Sequence, residues 1–265
     1  MDVIADLALP LPVALVGELM GLPPEDAERC QAWTQQCVRA FGLGPTRAGL
    51  KRADEGAARF FSYFRDVARA RRECPGPDLV SGLVRAHDAG DLAEAEMLAT
   101  CTLLFFAAYD TTAGLVGNAA LTLLRHDLYL LLRENPGLMR TAIEELLRFE
   151  SPGQLFGRMA AEDVVLDGRR IRRGQTVFAA LGAANRDPAQ FAAPDRVDLS
   201  RQENRHVAFG YGIHACVGQG LARLEAQVAL EALTRRMPDL RLVPAPSDWR
   251  PDIGFRGLRS LSVTW

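Results

Sequence analysis

Cys216 lies in the stretch Phe209-Gly210-Tyr211-Gly212-Ile213-His214-Ala215-Cys216-Val217-Gly218-Gln219-Gly220-Leu221-Ala222-Arg223, where residue types and spacing could do chemistry. Two glycines precede the cysteine and Gly218 follows it, which allows a tight loop whose backbone approaches another group closely. A helix is predicted to begin near residue 218, so Cys216 stands at a helix entrance, where amide N–H groups and the helix dipole stabilise a thiolate. A thiolate held this way is a good metal ligand. The other cysteines, Cys30, Cys37, Cys74 and Cys101, are irregularly spaced, with no CxxC pair and no histidine at zinc-ligand spacing. One axial bond to a haem iron therefore suits Cys216 better than zinc or an iron–sulfur cluster, which need several ligands. A buried structural cysteine in a glycine-rich turn is the other reading these residues leave open.

Asp110 and Thr111 form a second candidate pair, in the run Ala107-Ala108-Tyr109-Asp110-Thr111-Thr112. A hydroxyl there can orient a small oxygen ligand or water, and a carboxylate can connect it to bulk protons. The same pair could instead satisfy a kinked buried helix. Glu145 and Arg148 sit at i, i+3, close enough on a helix for an ion pair.

Taken together, these segments resemble the cytochrome P-450 family. Phe209, Gly212, Cys216 and Gly218 occupy the places of its haem-binding signature, Phe, two residues, Gly, three residues, Cys, one residue, Gly. The Asp110-Thr111 run is similar to the oxygen-activating stretch of the family's long central helix, except that Ala108 stands where the family usually has glycine. Glu145-Leu146-Leu147-Arg148 resembles its Glu-x-x-Arg pair, with Arg196 of Pro194-Asp195-Arg196 matching the arginine that completes it. The resemblance implies that Cys216 is the proximal thiolate ligand of haem b, that Phe209 packs beside its sulfur, and that Gly210 and Gly218 belong with them to the haem-binding residues. It also implies that His214 and Arg158 bind haem propionates, and that Asp110 and Thr111 deliver protons. His206 is left outside the immediate haem surroundings.

Helices must position these residues. An apolar segment at residues 11–21 precedes a helix over 25–41, a Gly/Pro break at 42–45 and a second helix over 47–72. Asp78 is a predicted cap for a short helix reaching His87. Residues 97–124 carry one formal charge, Asp110. That segment is long enough to span a bilayer, which takes roughly 20 apolar residues. However, Asp110, Thr111, Thr112 and Asn118 would be costly in lipid, and a buried central helix is expected instead. A helix over 137–149 follows. Asp167-Gly168 between short β-branched runs signals a hairpin, and residues 176–181 read as a strand. Loop chemistry dominates 185–204, a long helix spans 218–236, and strand-like pieces close the chain at 240–243 and 260–264. The expected fold is mainly α with a small β portion, a single domain over 1–265 corresponding to the C-terminal two-thirds of the cytochrome P-450 fold. The family's N-terminal third is expected to be absent.

Composition sets outer bounds. The chain has 265 residues, 48% of them hydrophobic and 24% charged, enough to bury a substantial core and too apolar for disorder. A net charge of −2, from 31 basic and 33 acidic residues, advertises neither a nucleic-acid partner nor an anionic membrane. The N-terminal stretch lacks a positive region before its apolar part and does not read as a signal peptide, so a cytoplasmic location is expected. The resemblance implies a haem-thiolate monooxygenase that inserts one oxygen atom from O₂ into a small apolar substrate. Ferredoxin and ferredoxin reductase would supply electrons, since no flavin or dinucleotide fingerprint is present. The shortened front leaves an alternative, a catalytically silent partner protein or an inactive fragment.

Overall fold

Capping chemistry opens several helices of the first of two units, Met1–Gly114 and Leu115–Trp265. The computed structural model describes residues 1–40 and 46–265. A π-helical turn (Ile4–Ala8) leads into α1 (Pro10–Leu19) and α2 (Pro24–Cys37), whose first turn holds Pro24, Glu25 and Asp26. A 3-10 turn at Val38–Ala40 ends that segment, so α2 stops short of the helix expected to reach Phe41. The expected end at Phe41 and the break at 42–45 lie outside the described residues. The Thr46 hydroxyl then accepts from the Gly49 N–H at 3.0 Å and starts α3 (Arg47–Glu73). Asp78 accepts from the Ser81 N–H at 2.8 Å and starts α4 (Leu79–Asp88), as its position predicts. The longest helix, α5 (Glu94–Arg125), begins in this unit.

Ala53, Phe60, Phe64 and Ala68 recur on one buried face of α3. The Phe60 ring lies 5.4 Å from Trp33 of α2 and 5.9 Å from Phe105 of α5, so one aromatic cluster joins three helices. The fully buried Phe60 and Phe105 each contribute roughly 1.5–3 kcal/mol through burial.

Across the end of the first unit and the start of the second, α5 is buried at every position from 112 to 123, as the apolar pattern predicts. Its earlier half differs, since Leu103 is 57% exposed. Among the described residues, α5 is long and apolar enough to cross a membrane by length and composition. It is followed by α6 (Tyr129–Glu134), which the sequence pattern did not reveal, and α7 (Met139–Phe149). On α9 (Gln219–Arg236), Ala226, Ala229, Leu230 and Leu233 are buried, and the helix packs on α6 and α7.

The β portion consists of short antiparallel pairs. In the first, β1 (Leu155–Met159) faces β4 (Thr176–Ala180), with Gly157 opposite Phe178. Between them, β2 (Val164–Leu166) and β3 (Arg169–Ile171) form the expected hairpin. Its two turn residues, Asp167 (φ 47°) and Gly168 (φ 73°), both have the left-handed backbone that a two-residue hairpin turn demands. At Leu181 the expected strand gives way to a helical turn, α8 (Leu181–Ala184). Near the C-terminus, β5 (Arg241–Leu242) pairs with β8 (Val263–Thr264), and β6 (Asp248–Trp249) with β7 (Leu258–Ser260). Strands β1 and β6 lack the alternation that would have marked them in the sequence.

Candidate functional site

The last turns of α7 carry a charge pair with no solvent-exposed side-chain surface, Glu145 and Arg148. Spacing i, i+3 lets the Arg148 Nε and Nη2 donate to the two Glu145 carboxylate oxygens, both at 2.8 Å. The remaining Arg148 donors reach backbone carbonyls of Asn185 (2.8 Å), Pro194 (2.9 Å) and Arg196 (3.3 Å). Glu145 also accepts from the Asp198 N–H at 2.9 Å, Arg201 Nε at 3.0 Å and Asn204 Nδ2 at 3.2 Å. The completing arginine is therefore Arg201. The expected Arg196 contributes only its carbonyl oxygen, and its side chain is exposed. In this way one carboxylate and one guanidinium fix the irregular 185–204 segment, which has no ladder of its own to hold it.

Asn185, fully buried, extends the support. Its Nδ2 donates to the Ser151 hydroxyl at 2.8 Å, while its Oδ1 accepts from the Val207 N–H at 2.7 Å. Val207 begins the segment that carries the candidate ligand. The loop over 209–218 closes on itself: the Cys216 N–H donates to the Phe209 carbonyl at 2.9 Å, and the Ala215 N–H to that of Gly212 at 3.0 Å. Gly210 (φ 71°) and Gly212 (φ 74°) adopt left-handed backbone, which explains why glycine is required at both. His214 ends a 3-10 turn (Gly212–His214), and Gly218 caps α9 two residues beyond Cys216. The loop thus brings together Phe209, Gly210, His214, Cys216 and Gly218.

Cys216 is exposed, and so are its neighbours Tyr211, Ile213 and Val217. The buried thiols differ: burial pushes those of Cys30 and Cys101 up to about 12, far from reactivity. No group of three or more His, Cys, Asp or Glu side chains able to hold a metal occurs among the described residues. A single exposed sulfur beside exposed apolar side chains fits a largely apolar metal cofactor that Cys216 would hold by one bond.

One residue each of α7, the loop and α9 form a cluster that was not foreseen. Glu144 accepts from His206 Nε2 at 2.9 Å and from Arg223 Nε at 2.6 Å, and the Arg223 guanidinium lies 4.5 Å over the Phe209 ring. Burial works to raise the Glu144 carboxyl, but hydrogen bonds from His206 and Arg223 and the Arg223 charge outweigh it and hold it down at about 2. The His206 side chain is 4% exposed and is held in this cluster.

Arg158 lies exposed on β1, its Nη1 donating to the Gly157 carbonyl at 2.8 Å. In the first unit, Asp110 is buried on α5, and the adjacent Thr111 hydroxyl donates to the Ala107 carbonyl at 2.9 Å. Such a bond leaves the hydroxyl oxygen able to accept a proton donor.

The Cytochrome P450 family model matches residues 132–241. The chain is 41% identical over 266 residues to the biotin biosynthesis cytochrome P450 of Bacillus subtilis (strain 168), covering 100% of this chain and 67% of that protein. With the polyketide biosynthesis cytochrome P450 PksS of the same organism it shares 40% identity over 269 residues, covering 99% of this chain and 65% of that one. The crystal structure of P450BioI in complex with hexadec-9Z-enoic acid ligated acyl carrier protein matches with a TM-score of 0.95 at 42% identity, covering 100% of this chain and 68% of that one. This chain therefore spans about two-thirds of the length of the curated relatives it matches.

Proposed function

Because this chain belongs to the cytochrome P450 family, we propose that it is a haem-thiolate monooxygenase acting on a small apolar substrate, with Cys216 as the ligand to haem b. The observation that carries this reading is the exposed Cys216 thiol on a hydrogen-bonded loop at the entrance of α9. The bound haem would activate O₂, so that one oxygen atom enters the substrate and the other leaves as water.

The chain's own residues would then do the following. Gly210 and Gly212 let the loop turn tightly enough to present the sulfur, and Phe209 would pack beside it. His214 and Arg158 offer exposed cationic or N–H groups for the propionates. On α5, Thr111 accepts a hydrogen bond from a water at its hydroxyl oxygen, and Asp110 exchanges protons with that water. Electrons come from a ferredoxin and its reductase. The relatives named for biotin and polyketide biosynthesis, and the acyl carrier protein bound to P450BioI, support an acyl-like or polyketide-like substrate. The protein works in the cytoplasm, away from nucleic acid and membrane.

The test begins with the reduced carbon monoxide complex of the haem-loaded chain. It should show the red-shifted Soret band of a thiolate-ligated haem, and Cys216→Ala should lose it. With surrogate ferredoxin, reductase and a panel of apolar substrates, Thr111→Ala should keep consuming electrons while product falls and hydrogen peroxide rises. Asp110→Asn should slow turnover instead. A chain that holds haem but shows neither a substrate-induced spectral shift nor coupled oxygen uptake would exclude the monooxygenase reading.

A further inference from the structure

We propose that Glu144 is a positioning residue that clasps both flanks of the Cys216 loop to α7. The proposal rests on the haem-thiolate reading above for its consequence, but its geometry stands on its own. Glu144 and Glu145 are adjacent, so they leave α7 about 100° apart around the helix axis. Glu145 turns into the buried arginine network. Glu144 turns toward the loop and spends both oxygens on it.

The upstream flank is held through His206, whose side chain is 4% exposed. The Ala208 N–H donates to His206 Nδ1 at 3.2 Å, which leaves the ring's proton on Nε2, where it donates to Glu144 Oε2 at 2.9 Å. The downstream flank is held through Arg223 on α9. Its Nε and Nη2 donate to Glu144 Oε1 and Oε2 at 2.6 and 3.0 Å, a bidentate pairing that fixes orientation as well as distance. Its Nη1 donates to the Gln219 side-chain oxygen at 3.1 Å, three residues after Cys216.

Between these arms lies Phe209. Arg223 stacks over its ring at 4.5 Å and the His206 ring centroid is 6.2 Å away. The Phe209 carbonyl in turn accepts from the Cys216 N–H. The exposed sulfur takes its direction from this backbone, so releasing Glu144 frees the backbone from both ends at once. Outer residues that orient a metal ligand typically change metal affinity 10- to 100-fold when removed. Removing this carboxylate also leaves the Arg223 charge uncompensated beside the ligand loop, which favours the reduced, more negative form of a thiolate–iron centre.

The test compares the 265-residue chain with Glu144→Gln, His206→Phe and Arg223→Met. Amide hydrogen exchange, haem release to a scavenger apoprotein and reduction potential are the readouts. Glu144→Gln is expected to speed exchange at residues 209–217 at least tenfold, on the order of the cited outer-residue effects, while α7 and the later turns of α9 keep their protection. Haem release should rise roughly 10- to 100-fold, and the potential should move upward. His206→Phe and Arg223→Met should each reproduce part of the change. A folded Glu144→Gln with unaltered loop exchange and haem release overturns the proposal, as does faster exchange spread evenly over α7. If Glu144→Gln does not fold, unaltered loop exchange in both other variants overturns it. A parent chain that takes up no haem defeats the haem-thiolate reading, and loop exchange in the haem-free chain still decides the clasp.

Discussion

Two neighbouring regions of the second unit treat their chemistry in opposite ways. At the end of α7, Arg148 has all five N–H donors engaged by a carboxylate and three carbonyls, and neither it nor Glu145 exposes any side-chain surface. In the 209–218 loop, Tyr211, Ile213 and Val217 are 91%, 98% and 92% exposed around a free thiol. The first region is complete in itself. The second is held rigid by its backbone and its flanks, and leaves its sulfur available. The contrast teaches that polar pairing is concentrated in the support, where a charge buried without partners would be very costly, and is sparse on the exposed surface around the thiol.

The comparison breaks most visibly at the ion pair. Arg148→Ala leaves Glu145 buried beside unsatisfied carbonyls, and Glu145→Ala does the reverse. Either should cost about 3–5 kcal/mol in denaturant unfolding. A loss below about 1 kcal/mol would mean the pair behaves as an exposed helix-face contact.

A smaller effect sharpens the contrast from within the support. Glu225 on α9 is also buried, yet its Oε2 has no hydrogen-bond partner among the described residues, and burial pushes its carboxyl up to about 7. Its unfolded value is near 4.5, so the folded state holds the extra proton between those values. Stability from this group is present below pH 4.5, falls as pH rises through about 7, and is flat above that. Glu225→Gln should therefore stabilise the protein by up to about 3 kcal/mol at alkaline pH and by little at acid pH. Thermal melts of both proteins across this range would show it. Parallel pH profiles would rule out this origin.

The smallest difference separates two arginines. Arg201 pairs with Glu145 at 3.0 Å and is largely buried, so Arg201→Ala should cost roughly 1–3 kcal/mol. Arg196 contributes only its backbone, so Arg196→Ala should stay within about 0.5 kcal/mol. Equal losses in urea titrations would erase the distinction.

The chain's own order of residues was sufficient wherever the physics is local. The Asp78 cap, the Asp167-Gly168 turn, the apolar stretch of α5 and the glycines around Cys216 each act through groups a few residues apart, and the structure bears out each of these elements. The resemblance carried by Phe209, Gly212, Cys216 and Gly218 led to the same family as the comparisons. What only the tertiary structure decided is which distant groups meet. Arg196 and Arg201 lie 48 and 53 residues from Arg148, and nothing in their spacing says which guanidinium points inward. Glu144 and Arg223 are 79 residues apart, and their pairing depends on α9 packing against α7. Charges of this kind are abundant in the sequence, and burial against a particular surface is what selects the few that pair.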